Sequence, residues 1–310
     1  MSSINVTLSR LDRLYLAKVA DQAERYQDVI DQLKDIIHAN DAQLTIDERN
    51  LLSIGYKNLT ANLRSSWRTI DTLQKKEALL STRQEVKLMR VQKERIEKDI
   101  DALCRDVIEL LERTLIPAAN DGEEKVFYSK MRGDYYRYLA ELTRLKPKEN
   151  LAAVSLEAYK FAYQHALITL PPTHPTRLGL ALNFAVYFHD IMRSPERACH
   201  LAKHAFDEAI SSASSESPSA GTNLEDSLMI LQLMRDDLIL WHGEIGRAMA
   251  PSYHPSAAWR NGIASDYESG DCRFDPCGGH QNVFPAVYVV FFARKTKEMR
   301  ENRRDGHRID

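Results

Sequence analysis

Lys57 and Arg64 stand seven residues apart, and Lys130 and Arg137 repeat the interval with Tyr138 directly after. On a helix seven residues make two turns, so each pair returns to nearly one face. Lysine, arginine and a phenol form a phosphate-binding set. The guanidinium offers a bidentate fork, the ammonium a point charge and the phenol a neutral donor. In a chain that is 28% charged the same spacing also arises as solvated surface, and spacing alone favours that plainer reading. A second pattern is apolar. Leu182 and Val186 share a helical segment with Asn183, while Met229, Ile230, Leu233 and Trp241 stripe a later one. Such stripes form either a core or one wall of a groove.

Other chemistries lack their residues. There is no GxSxG, HExxH or Walker sequence, so no catalytic residue, metal or cofactor is expected. Cys272 and Cys277, near His254 and His280, have the wrong interval for a common zinc site and read as ordinary thiols. With Cys104 and Cys199 they number four, too few for a disulfide framework in 310 residues, so a reduced, cytosolic protein is expected. A cytoplasmic location follows, with the nucleus as an open second site. The net charge of −2 gives no general attraction to nucleic acid. No secretory h-region opens the chain, and the apolar run at 284–293 is about half of what a membrane helix needs, so no membrane role is expected.

The elements that must hold these residues are helices. The sequence has 12 Gly and 11 Pro, and seven of the glycines follow Trp241. Residues 1–242 are therefore too poor in turn-formers for a sandwich, a barrel or a glycine-dependent nucleotide fold. Thr45 and Glu48 read as a capping box opening a helix towards Trp67. A long helix is expected over about 81–115, closed by Pro117, with Val86, Val91, Ile96, Ile100, Leu103, Val107 and Leu110 on its apolar face. Others are expected after Gly122, over about 149–169, from Pro175 to about Met192, and from Ser194-Pro195. The Ser-rich stretch 211–221 reads as a loop, and Thr222 with Glu225 opens a last helix to about Gly243. The fold class is all-α with about nine helices, and a domain boundary falls after Gly243. Residues 244–310 read as an irregular, disordered extension in which only 286–292 resembles a strand.

Several long motifs carry a resemblance. RNLLSIGYKNL at 49–59 resembles the first signature of the 14-3-3 family. KVFYSKMRGDYYRYLAE at 125–141 and PPTHPTRLGLALNFAV at 171–186 match it almost residue for residue, and SLMILQLMRDDLILW at 227–241 resembles its second signature. AERY at 23–26 and SSW at 65–67 add to this, and the likeness covers about 10–243. It implies nine antiparallel helices per protomer, forming half of a cup-shaped dimer that binds phosphoserine or phosphothreonine peptides. By the resemblance, Lys57, Arg64, Arg137 and Tyr138 contact the phosphate, with Lys130 beside them. Asn183 holds the peptide backbone, Asp190 is the nearby acid, and Leu182, Val186, Met229, Ile230, Leu233 and Trp241 form the apolar wall. The implied dimer interface contains Val19, Ala23, Ser66 and Ile96, with Arg25 paired to Asp99 and Asp28 to Arg95 of the second protomer.

The resemblance implies a dimeric adaptor for phosphorylated Ser/Thr proteins, formed with itself or a related isoform. The competing reading is a divergent helical scaffold that binds partners independently of phosphate. Asp237 stands where the family has an Asn that also holds the peptide. An ionised Asp accepts but does not donate, so one hydrogen bond of about 0.5–1.5 kcal/mol is lost and a negative charge faces an anionic ligand. Gln92 replaces an interface Tyr, Asp99 is a shorter acid than usual, and Leu224-Glu225 replaces Tyr-Lys. The loop at 211–223 is longer than usual, and 244–310 does not resemble the family's short acidic tail.

Overall fold

The computed structural model describes residues 8–39, 42–77, 83–143, 150–215 and 224–249. Helix α1 spans Arg10–Gln22 and opens on a capping box, with Asp12 N–H donating to Ser9 Oγ (3.2 Å) and Ser9 N–H to Asp12 Oδ2 (3.0 Å). Helix α2, Tyr26–Ala39, buries Val29, Ile30, Leu33, Ile36 and Ile37 at three- and four-residue steps. Helix α3 covers Ile46–Glu77, and its start is the box expected from Thr45 and Glu48. Thr45 N–H donates to Glu48 Oε2 (2.8 Å) and Glu48 N–H to Thr45 Oγ1 (3.3 Å). Arg10 also donates to both oxygens of the buried Glu48, at 2.8 and 2.6 Å, which ties α1 to α3.

Helix α4 runs over Arg83–Leu110 and widens into a π turn at Leu111–Leu115 before a last α turn, Ile116–Ala118. The chain does not simply stop at Pro117. Proline has no N–H and its ring crowds the carbonyl four residues back. The wider turn precedes it, and Pro117 then occupies the first positions of a new turn, where the missing donor costs little. Helices α5 (Glu123–Thr143), α6 (Leu151–Thr169), α7 (Pro175–Asp190), α8 (Pro195–Ser215) and α9 (Leu224–Met249) complete nine helices, with no strand among the described residues.

Two boundaries differ from expectation. Residues 211–215 belong to α8 rather than to a loop. Serine costs a helix only a few tenths of a kcal/mol, and the preceding turns are fixed by the buried Ala205 and Ala209. At the other end, α9 passes through Gly243 and Gly246 to Met249, so a glycine taken as a stop lies inside the helix. Gly221, Thr222, the tail cysteines and histidines, and the strand-like 286–292 lie outside the described residues.

The core is built in chain order. One cluster joins α1 to α6 through Leu33, Ile100, Val107, Leu111, Tyr56 and Tyr135. A second joins α5, α6 and α7 through Val126, Tyr159, Ala162, Leu180, Phe184 and Tyr187. A third joins α7, α8 and α9 through Leu178, Ala181, Leu182, Ala205, Leu231 and Met234. Alanines at the contacts of α6, α7 and α8 let the helix axes approach closely.

Candidate functional site

The cations named from sequence meet where α3, α5 and α7 converge, and two carboxylates, the buried Asp134 and the half-buried Glu141, hold Lys130, Arg137 and Arg64. Asp134 lies on α5 one turn from both Lys130 and Arg137. Its Oδ2 accepts from Lys130 Nζ (2.9 Å) and its Oδ1 from Arg137 Nη2 (3.3 Å). Two neighbouring helices add donors to the same carboxylate. Tyr159 of α6 donates its hydroxyl to Oδ1, and Asn183 of α7 donates Nδ2–H to both oxygens at 2.9 and 3.0 Å. Burial works against the charge on Asp134, but Lys130 and Arg137 prevail and hold its carboxyl below the usual range.

Arg137 is buried and donates through Nε to Tyr159 Oη (3.0 Å). Its guanidinium lies over the Tyr138 ring, 4.7 Å from the centroid, and that of Arg64 lies over the same ring at 4.0 Å. Arg64 is fixed in turn by Glu141, with Nη2 and Nε 2.5 and 3.1 Å from Oε2. Arg68 takes the other oxygen at 2.7 and 3.1 Å. Lys57 completes the patch from α3. Burial and the nearby charge of Lys130 push its ammonium down to about 8, partly opposed by Asp134. Four cations thus share two carboxylates and Lys57 adds a fifth positive group, leaving a local excess of positive charge able to balance a dianion.

The carboxylates pre-orient the cations, so little side-chain entropy remains to be lost when an anion arrives. Asn183 is oriented in the same way. With Nδ2 spent on Asp134, its Oδ1 has no partner among the described residues and can accept from an extended backbone.

The apolar residues take different places. Val186, Ile230 and Leu233 are half-buried, Met229 is exposed, and Leu182 is buried in the third core cluster. Gly179 is where the two walls meet. A methyl group there would lie 3.9 Å from Ile230 Cδ1 of α9 and 4.0 Å from Lys130 Cε of α5. Trp241 is buried with its ring stacked on His189 (centroids 5.3 Å apart, planes at 19°), and His189 Nδ1 is 2.7 Å from Asp190 Oδ1. Asp237 sits half-buried beside them.

The residues implied for an interface lie apart from this groove. Val19 and Ala23 are exposed on and just after α1, where Tyr15 and Leu16 are exposed as well. Leu88 and Val91 of α4 are exposed near Arg95 and Asp99, and so is Gln92. Ser66 donates its hydroxyl to Asn62 O (3.0 Å), and Arg25 is bonded to Asp28 of its own chain. Ile96 is only 7% exposed and belongs to the protomer's own core.

Sequence reasoning missed Asp134, Glu141, Arg68 and Tyr159 as parts of the site. Asp134 had a readable signal, since it falls four residues after Lys130 and three before Arg137, intervals that face each other on a helix. Tyr159 had none, because its role depends on how α6 packs on α5. That packing is closest at Gly133, where a methyl group would meet Tyr159 ring carbons at 3.0 Å and the ring would have to give by a few tenths of an ångström. Gly133→Ala is expected to displace Tyr159 and lower stability by about 1–3 kcal/mol. A thermal melt checks this, and an unchanged melting temperature would show that the ring can yield.

Comparison with known proteins gives the family. A family model described as 14-3-3 protein matches residues 16–242. The chain belongs to the 14-3-3 family. It is 48% identical to the Schizosaccharomyces pombe protein called checkpoint signal transducer rad24 over 76% of this chain and 86% of that one. It is 43% identical to 14-3-3 protein 9 of Solanum lycopersicum over 82% and 96%, and 46% identical to the 14-3-3 family protein artA of Aspergillus flavus over 74% and 95%. Membership carries a regulatory adaptor role. No described helix of this 14-3-3 chain is long and apolar enough to cross a membrane, and among the described residues no three metal-ligating side chains cluster.

Proposed function

We propose that residues 1–243 bind phosphorylated Ser/Thr segments of client proteins in the groove between α3, α5, α7 and α9, and that two protomers act together in the cytoplasm. The observation that carries this is the linked set Lys130, Arg137, Tyr138 and Arg64, pre-oriented by Asp134 and Glu141, with Lys57 close enough to feel the charges of Lys130 and Asp134. The phosphate takes the cationic end with Tyr138, and Asn183 Oδ1 accepts from the peptide main chain. Val186, Ile230 and Leu233 supply the apolar side that an extended segment covers. The test is fluorescence polarisation of an Arg/Ser-rich peptide with and without phosphoserine. Preference for the phosphorylated form by at least tenfold is expected; equal affinities would favour the phosphate-independent scaffold.

The dimer reading is supported by the exposed apolar residues Tyr15, Leu16 and Val19 of α1 and Leu88 and Val91 of α4. Their burial against a second protomer supplies the driving force, while exposed ion pairs such as Arg25 with Asp99 set orientation more than affinity. A dimer holds two grooves on one body and raises the effective concentration of a second phosphosite. Sedimentation at micromolar concentration is expected to give a species of twice the chain mass. A monomer under those conditions would count against the paired reading, and a dimer retained by Val19→Asp would move the interface elsewhere.

A further inference from the structure

Asp237 lies on α9 four residues before Trp241, so the two side chains share a helix face. Its carboxyl is half-buried, and among the described residues it accepts no hydrogen bond and forms no ion pair. The surrounding groups explain why no donor answers it. From α7, Asp190 approaches with like charge, and His189, the one group that favours ionisation, is already bonded to Asp190 and stacked on Trp241. From its own helix Asp236 adds a second negative charge, itself paired with Arg235 at 3.2 Å.

Two neighbouring carboxyls are thereby separated in character. His189 and then Arg137 and Arg68 overcome burial at Asp190 and keep it below the usual carboxylate range. At Asp237 burial acts first and Asp190 second, and together they push the carboxyl up to about 6. Environments that drive two acids apart give them different tasks. One has its ionised form favoured by His189, Arg137 and Arg68. The other changes between an acceptor-only carboxylate and an acid with an O–H donor.

We propose that Asp237 makes the groove's hold on a phosphorylated peptide depend on proton concentration, tight when its carboxyl is protonated and weak when it is ionised. This rests on the phosphopeptide reading of the groove. Protonated, the side chain donates to a peptide carbonyl as an amide would and brings no charge to an anionic ligand. Ionised, it lacks that donor, and it repels the incoming phosphate and presses on Asp190. A bound peptide therefore favours the protonated form, and proton uptake accompanies binding.

The test uses the full chain and the variant Asp237→Asn, titrated from pH 5 to pH 8 with a fluorescein-labelled phosphoserine peptide and its unphosphorylated twin. The phosphate's own second ionisation, Lys57 and the His189 ring are present with both proteins, so the ratio of dissociation constants isolates the carboxyl at position 237 together with its coupling to them. That ratio, wild type over variant, is expected near one at pH 5 and about tenfold by pH 7.5, the equivalent of one pKa unit of linkage. A ratio constant across the range, with phosphopeptide still preferred, overturns the proton dependence alone. No preference for phosphopeptide at any pH overturns the groove reading and this inference with it. The wild-type protein gives an independent measure by carboxyl 13C titration, the Asp237 signal being the one absent from Asp237→Asn. A midpoint near 6 supports the proposal, and one near 4 overturns it whatever the variant does.

Discussion

Lys57→Glu is expected to weaken binding of a phosphoserine peptide by on the order of 100-fold or more, close to the affinity of the unphosphorylated peptide. A hydrogen bond to a charged partner contributes about 1.5–3 kcal/mol, and about 1.4 kcal/mol is a factor of ten. Reversal adds repulsion to the loss. Lys57 differs from the other cations of the patch in how its charge is held. Arg64 and Arg137 are fixed by Glu141 and Asp134. Lys57 is pushed down to about 8 by burial and by Lys130, so its charge is lost as pH rises through that value in the free protein. A bound dianion favours the ammonium, so affinity is expected to fall above pH 8 in the wild type. That alkaline limb should vanish in Lys57→Gln, which is weak throughout. Polarisation titrations from pH 7 to pH 9.5 on both proteins check the pair of statements. Full affinity in Lys57→Glu would remove this lysine from the site.

The parts of this arrangement legible in sequence are those set by local periodicity. Thr45 and Glu48 marked a helix start because the capping box is a four-residue pattern. Lys57 with Arg64 and Lys130 with Arg137 marked two faces because seven residues close two turns. What lay beyond reach depends on helix against helix. Nothing at position 159 signals that a tyrosine will donate to Asp134 and accept from Arg137 across two helices, nor that Gly133 makes room for its ring. The family resemblance supplied the roles that spacing left open. It did not supply the state of Asp237, because an Asp in place of an Asn takes its character from Asp190 and His189 on another helix. The end of α9 escaped for a different reason. Glycine ends helices often, yet Gly243 and Gly246 have open space around them and the helix carries on past both.

Asp134→Ala is expected to cost more stability than any other single change in the groove, about 3–5 kcal/mol, the range found when one partner of a buried ion pair is removed. Four donors from three helices end on this carboxylate: Lys130, Arg137, Tyr159 and Asn183. Without it, buried Arg137 keeps its charge, Tyr159 keeps a donor without an acceptor, and Lys130 and Lys57 repel each other with less to offset them. For a chain of this size the loss corresponds to a fall of about 10 °C in melting temperature. The pH dependence follows from the sign of the shift. The folded-state value of Asp134 lies below its ordinary one, so its contribution is complete above the unfolded-state value of about 4 and disappears as pH falls through the lower folded one. The gap between wild type and Asp134→Ala should therefore be constant from pH 5 to about pH 6.5, below the range where Lys57 titrates, and close only below about pH 4. Calorimetric melts across that range measure it, with Asp134→Asn, which keeps the volume without the charge, expected between the two. If Asp134→Ala melts within about 2 °C of the wild type at pH 7, the cations are not held by this carboxylate. Phosphate affinity would then have to be explained without a pre-oriented patch, since Arg137 free to swing would bind an anion only at the entropic cost that Asp134 otherwise removes in advance.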